Sequence, residues 1–310
     1  MAKASSTLAA SADCHTAPEV FHGQACQRLT LPCGDSVLVA LQGAHVLSWV
    51  SQGRERLFLS DRNVWDGQAA IRGGVPVCFP QFNQRGHLPK HGFARNLAWQ
   101  CTTAQDFETV AIAQPNSPKP EPTPLNTSAA HLCFELTANA QTLRLWPQHF
   151  VATLRVSLAP AQLQIGLQVR NTDSQPLSFT GALHTYLAVQ DIAHTALSGL
   201  HGQDEWDAVT DQHGKAAQVL RFEGEFDRVY QAAPHALLVQ DALGALRIEQ
   251  SASWGQSVVW NPGAVKCATL QDMPLGGERH MLCVEAAQVY TPITLAPATL
   301  WQGWQRLSLV

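Results

Sequence analysis

The chain has 310 residues, 45% of them hydrophobic and 14% charged, with a formal net charge of −4. This composition excludes a disordered chain, and no apolar run approaches the ~18–20 residues that a membrane-spanning helix requires. An acidic balance also excludes a basic nucleic-acid-binding domain and leaves a small molecule as the expected partner.

Residues 1–20 are small and polar with a single Lys and no apolar core, which predicts a flexible tail and not a secretory signal. The remainder, 21–310, is expected to form one domain. The eight cysteines include no C-x-x-C pair, so a zinc ribbon or dithiol redox motif is not expected. Buried free thiols and a reducing, cytoplasmic setting are expected instead.

Ser36 to Val50 reads as two short strands around Gly43, and one helical turn is expected around Asp61 to Trp65. Alternation resumes from Trp99 to Ile112. The proline-rich stretch 114–129 follows, read as a long hairpin loop within the domain. Strand patterns then arrive at short intervals: HLCFEL, FVATLRVSL, QLQIGLQVR, LSFTGALHTYLAV, ALLVQDA, ALRIEQS, SVVWN, MLCVEAAQV and the C-terminal ATLWQGWQRLSLV. The clearest is QLQIGLQVR. Its Leu163, Ile165, Leu167 and Val169 alternate with polar residues, as a half-buried antiparallel strand requires. With no helix of ten or more residues predicted, the fold class is all-β, a large antiparallel β-sandwich.

The segment from Asp66 to Trp99 breaks this pattern. It carries Arg72, Arg85, Lys90 and Arg95, with His87 and His91 between them, and no acidic residue occurs from Gly67 to Gln105. A charge run by itself is most often a solvated face, but this one also holds Gly73, Gly74, Pro76, Pro80, Gly86, Pro89 and Gly92. Close backbone turns are implied, and a small anion is the matching ligand. His87 and His91 have the i, i+4 spacing of a helical zinc pair, yet Pro89 and Gly92 forbid the helix, so no metal is expected.

The wording IRGGVPVCFPQF followed by LPKHGFARNLAW resembles the hexose-6-phosphate mutarotases, the glucose-6-phosphate 1-epimerase branch of the aldose 1-epimerase family. HTYLAV, FDRVY, WNP and LCVE extend the resemblance in the family's order from about Thr30 to Tyr290. It implies a galactose-mutarotase-like sandwich with its site in a groove on one curved sheet. It also implies His184 as general acid, Glu285 as general base and Asp227 as a sugar-hydroxyl ligand. Arg72 and Arg95 would hold the phosphate end. Lys90, where relatives often carry Gln, and His91 complete the expected substrate-binding set. Without the resemblance, a lone strand His is more often a core or surface residue, and a lone Glu the solvent side of a strand.

The implied reaction needs no cofactor. A base takes the proton of the C1 hydroxyl while an acid protonates the ring oxygen, with the two expected on opposite sides of the anomeric centre. Two other activities would fit the same fold. A mutarotase of unphosphorylated aldoses leaves the cationic block without a purpose, and a non-catalytic sugar-phosphate-binding or regulatory module needs neither His184 nor Glu285. A monomer is expected.

Overall fold

The computed structural model describes residues 14–102, 129–242 and 244–310. Nearly all of the proline-rich stretch and most of the alternating run after Trp99 lie outside the described residues. Among those described, no helix is long and apolar enough to cross a membrane.

Alternating segments pair into three antiparallel sheets of five, nine and eight strands. Gln162–Asn171 lies at the heart of the nine-stranded sheet, between Phe150–Ala159 and the C-terminal Leu300–Leu309. Its residues Leu163, Ile165, Leu167 and Val169 all enter one contiguous core that draws on every sheet. The eight-stranded sheet runs Gln212–Lys215, Asp204–Asp207, Phe226–Gln231, Gln256–Asn261, Met281–Leu295, Leu177–Leu183 and Val77–Cys78, with Tyr186–Ala188 also paired to Met281–Leu295.

Three expectations are corrected. His15–Phe21, inside the stretch read as tail, is a strand paired with Gln24–Thr30. Asp61 to Trp65 contains a turn and no helical turn, because the Ser60 hydroxyl and the Asn63 side chain take up the local backbone groups. LSFTGALHTYLAV is two strands, Leu177–Leu183 and Tyr186–Ala188, with His184 and Thr185 in the break. Two short helices, Ala140–Leu145 and Gly263–Cys267, were not expected; both fall below the ten-residue threshold.

The break is held from behind and from the side. Gln305, 1% exposed, accepts the Thr185 hydroxyl proton at 2.5 Å and donates to the Val284 carbonyl at 3.0 Å, tying the two large sheets together. His184 N donates to Pro76 O (3.1 Å) and Tyr186 N to Gly74 O (2.9 Å), so the GGVP segment acts as the missing neighbour. Gly74 has φ +61°, and a Cβ there would stand 2.1 Å from the Val46 carbonyl oxygen. Gly74→Ala is therefore expected to cost roughly 1–3 kcal/mol. The cost should appear as a fall in Tm of several degrees in a thermal melt, with loss of the His184 geometry. A variant that melts like wild type would contradict this.

Candidate active site

The strand Met281–Leu295 alternates strictly where it matters. Leu282, Val284 and Ala286 enter the inter-sheet core, which puts Cys283, Glu285 and Ala287 on the opposite face. Ladder register then sets two rows across that face. Glu285 stands opposite Val258, Val258 opposite Val229, and Val229 opposite Trp206. In the next row Cys283 lies between Tyr186 and Trp260, and Trp260 is opposite Asp227. His184 falls beside Glu285, between the pairs Leu183–Ala286 and Tyr186–Cys283.

Apart from Cys283, which is fully buried, these rows floor a cleft of about 210 Å³. Its first wall is the loop 82–91, which Gln81 pins from beneath. The Gln81 amide donates to the Asn83 and Leu88 carbonyls and accepts from Leu88 N (2.9, 3.0 and 3.0 Å). His91 closes the loop: its N–H donates to Asn83 O (2.9 Å), and its Nδ1 accepts from Asn83 N (3.3 Å). A neutral His91 therefore carries its proton on Nε2. The second wall follows the WNP motif. Asn261 donates to the Glu278 and Met281 carbonyls, both at 2.8 Å, and accepts from Gly263 N at 2.9 Å. It thereby fixes the segment that supplies Lys266, Leu270 and Asp272 to the cleft.

All seven residues singled out from the sequence line this one cleft: Arg72, Lys90, His91, Arg95, His184, Asp227 and Glu285. His87 does not; it is exposed while His91 is buried, so the pair does not converge. Tyr186, Trp260, Lys266 and Asp272 also line the cleft and were missed. HTY and WNP carried the first two in the sequence, since a strand residue two on from His184 shares its face. Lys266 and Asp272 had no such signal.

His184 and Glu285 touch, with Nε2 to Oε1 at 3.2 Å. They sit side by side on one face, not across from each other, because neighbouring strands place them there. Tyr186 stacks flat on the imidazole (4.7 Å, 13° between planes), and His91 meets it edge-on at 5.4 Å. Glu285 is 1% exposed and His184 8%. An ion pair alone would raise the imidazole pKa and lower that of the carboxyl. Burial does the reverse to both. Desolvation holds His184 well below the ordinary imidazole value, aided by Arg95 and Arg72. Desolvation raises Glu285 well above the carboxylate range, aided by the Asp227 charge. The pair thus keeps one proton between two groups and no net charge.

The cations are not equivalent. Arg72 is ion-paired to Asp272 (Nε to Oδ1, 2.8 Å) and also donates to the Tyr186 hydroxyl at 3.4 Å. Lys266 is bonded to Glu225. Arg95 has no carboxylate partner among the described residues. Its Nη2 donates to the Lys90 carbonyl (2.9 Å), and its Nε is buried without a partner. Lys90 likewise has no acidic partner among the described residues, and its pKa is lowered by partial burial and by Lys266, Arg95 and Arg72. Asp227 is pushed up by burial, against the pull of Lys266. The cleft therefore holds two unbalanced positive charges within reach of a shared proton.

The model of the family described as aldose 1-epimerase matches residues 26–308. A curated protein of Cenchrus ciliaris named "Putative glucose-6-phosphate 1-epimerase" is 35% identical over 280 residues, covering 88% of this chain and 80% of that protein. One of the same name from Escherichia coli K12 is 35% identical over 256 residues, 80% of this chain and 78% of its own length. Among solved structures, a "putative mutarotase (YeaD)" from Salmonella typhimurium superposes with a TM-score of 0.77 at 28% identity, covering 92% of this chain and 90% of that one.

Proposed function

The chain belongs to the aldose 1-epimerase family, and from that premise we propose that it interconverts the α and β anomers of a hexose 6-phosphate, glucose 6-phosphate foremost. The observation that carries this reading is the buried His184–Glu285 contact beside two cations that lack acidic partners. The first supplies the chemistry of an epimerase. The second suits a phosphate, which a neutral sugar lacks.

O1 and the ring oxygen are both bonded to C1, so a side-by-side pair can address both from one face. The pair's one proton first passes from Glu285 to His184 across their 3.2 Å contact, and Glu285, now a carboxylate, takes the O1 proton. His184, as imidazolium, gives its proton to the ring oxygen as the C1–O5 bond breaks. Rotation about C1–C2 turns the other face of the aldehyde toward the pair, and the reversed transfers close the ring. Each positioned proton-transfer group contributes about 10²–10⁴-fold. Asp227 accepts from a sugar hydroxyl, and His91 donates from Nε2. Arg95 and Lys90 take the phosphate, with the free N–H groups of Arg72 adding to them. The deciding experiment is the approach of fresh α-glucose 6-phosphate to anomeric equilibrium. No acceleration by the purified protein would end this proposal.

The shared proton has a pH consequence. The one-proton form gains a second proton only below the depressed His184 value, and loses its own only above the raised Glu285 value. With free glucose, which does not ionise in this range, kcat/KM is expected to stay flat as the pH falls through about 6.5, the ordinary imidazole value. An acid limb centred there would mean that His184 titrates as a solvated imidazole.

A further inference from the structure

We propose that His184, Cys283 and Glu285 form a binding site for a borderline, thiolate-preferring divalent cation of the zinc class. Cys283 and Glu285 are two apart on one strand and share a face, and His184 stands beside Glu285 on the adjoining segment. One donor atom from each, a nitrogen, a sulfur and an oxygen, lies within 4.8 Å of the other two. Zinc binds nitrogen and oxygen at ~2.0–2.1 Å and sulfur at ~2.3 Å, so the edges of its tetrahedron run from roughly 3.3 to 3.6 Å. The 3.2 Å His184–Glu285 contact is already close to such an edge.

An independent observation points the same way. Glu285 Oε2 is buried without a hydrogen-bond partner, on the carboxyl group whose other oxygen meets His184 Nε2. A buried carboxylate oxygen left unmatched is costly, and a cation on Glu285 would offset that cost. Three protein donors leave a fourth tetrahedral position open, and two of them, His184 and Glu285, line the cleft. Binding displaces the Cys283 thiol proton and the proton of the pair, so a dication with thiolate and carboxylate forms a neutral buried unit. Arg72, Lys90 and Arg95 nearby oppose any cation. Hard, oxygen-seeking magnesium and calcium gain nothing from the thiol and are excluded, whereas the thiolate secures zinc, copper or cobalt.

The site goes beyond the proposed activity, but one consequence rests on it: an ion here occupies both proton-transfer groups, so zinc inhibits. The full chain, stripped with a chelator, is titrated with cobalt(II). One equivalent is expected to bind with a thiolate-to-cobalt charge-transfer band, which Cys283→Ser abolishes while keeping basal anomer exchange. That variant should need at least about tenfold more zinc for half-inhibition, since removing a sulfur that binds the ion costs no less than removing a group that only orients such a ligand. Glu285→Gln, read by the cobalt band and stoichiometry alone, is expected to weaken binding without reference to activity. A band that persists in Cys283→Ser, or no band in wild type, overturns the site. Cobalt bound in that manner with exchange unimpaired upholds the site and instead overturns the catalytic reading of His184 and Glu285.

Discussion

Replacing Glu285 by Gln, or His184 by Asn, is expected to lower kcat by roughly 10²-fold or more while leaving KM nearly unchanged. The glutamine amide keeps the shape and the contact to His184 but cannot take up the O1 proton. Asparagine keeps a polar group in the His184 position but cannot donate and recover a proton near neutrality. On the proposed assignment Arg95, Lys90 and Asp227 hold the substrate, so the ground state should feel little. The two groups work on one proton inventory, and the double variant should be barely worse than either single one. Anomer exchange measured by NMR decides this. Near-normal exchange in either single variant would remove that residue from the chemistry.

Arg95→Ala is expected to lower kcat/KM for glucose 6-phosphate by roughly 10–100-fold and to leave free glucose almost unaffected. A guanidinium can grip phosphate through two parallel hydrogen bonds. Each charge-assisted bond contributes about 1.5–3 kcal/mol, and about 1.4 kcal/mol is tenfold. Arg95 is the strongest candidate because its charge has no carboxylate partner among the described residues and its Nε is buried unmatched. Lys90→Ala should show the same selectivity more weakly, since an ammonium acts as a point charge on a flexible stem. Arg72→Ala should differ. Its ion pair with Asp272 and its bond to Tyr186 brace the ring stacked on His184, so turnover of both sugars should fall. Equal losses on the two sugars in Arg95→Ala would mean that this residue supports the fold and not the phosphate.

The fold class was legible because period two survives in the core strands: Leu163, Ile165, Leu167 and Val169 face inward as their spacing requires. The seven residues that meet in the cleft were legible through wording resembling a family, not through pattern. A Glu in a strand says nothing about its surroundings, and Glu285 is 1% exposed in a cleft that the loop 82–91 and the segment after Asn261 help to wall. The break at His184 was invisible for a related reason. HTYLAV has unbroken strand propensity, and what interrupts it comes from elsewhere in the chain, from Gln305 and Pro76. The first strand was more readable than the tail assignment allowed. His22 and Gly23, with φ of +47° and +78°, form a two-residue hairpin turn whose X-Gly signature was present in the sequence. Lys266 and Asp272 sit in a stretch without periodicity, where a lone Lys and a lone Asp carry no meaning before folding.

The alternation of the strand Met281–Leu295 bears on how this protein can change by insertion and deletion. One residue added between Met281 and Glu285 would turn Leu282 and Val284 toward the cleft and Cys283 toward the core, abolishing the packing and the His184–Glu285 contact in a single event. Such lesions have no halfway product to select. The segment from Pro262 to His280 is different. Asn261 anchors it at both ends, and it lies off the ladder, yet it delivers Lys266 and Asp272 to the rim. Its exposed positions can change without turning the ladder residues over, provided that Asp272 keeps the ion pair with Arg72 that braces Tyr186 against His184. Descendants of this chain can therefore remodel that rim of the cleft, Asp272 excepted, while inheriting the contact between His184 and Glu285 intact.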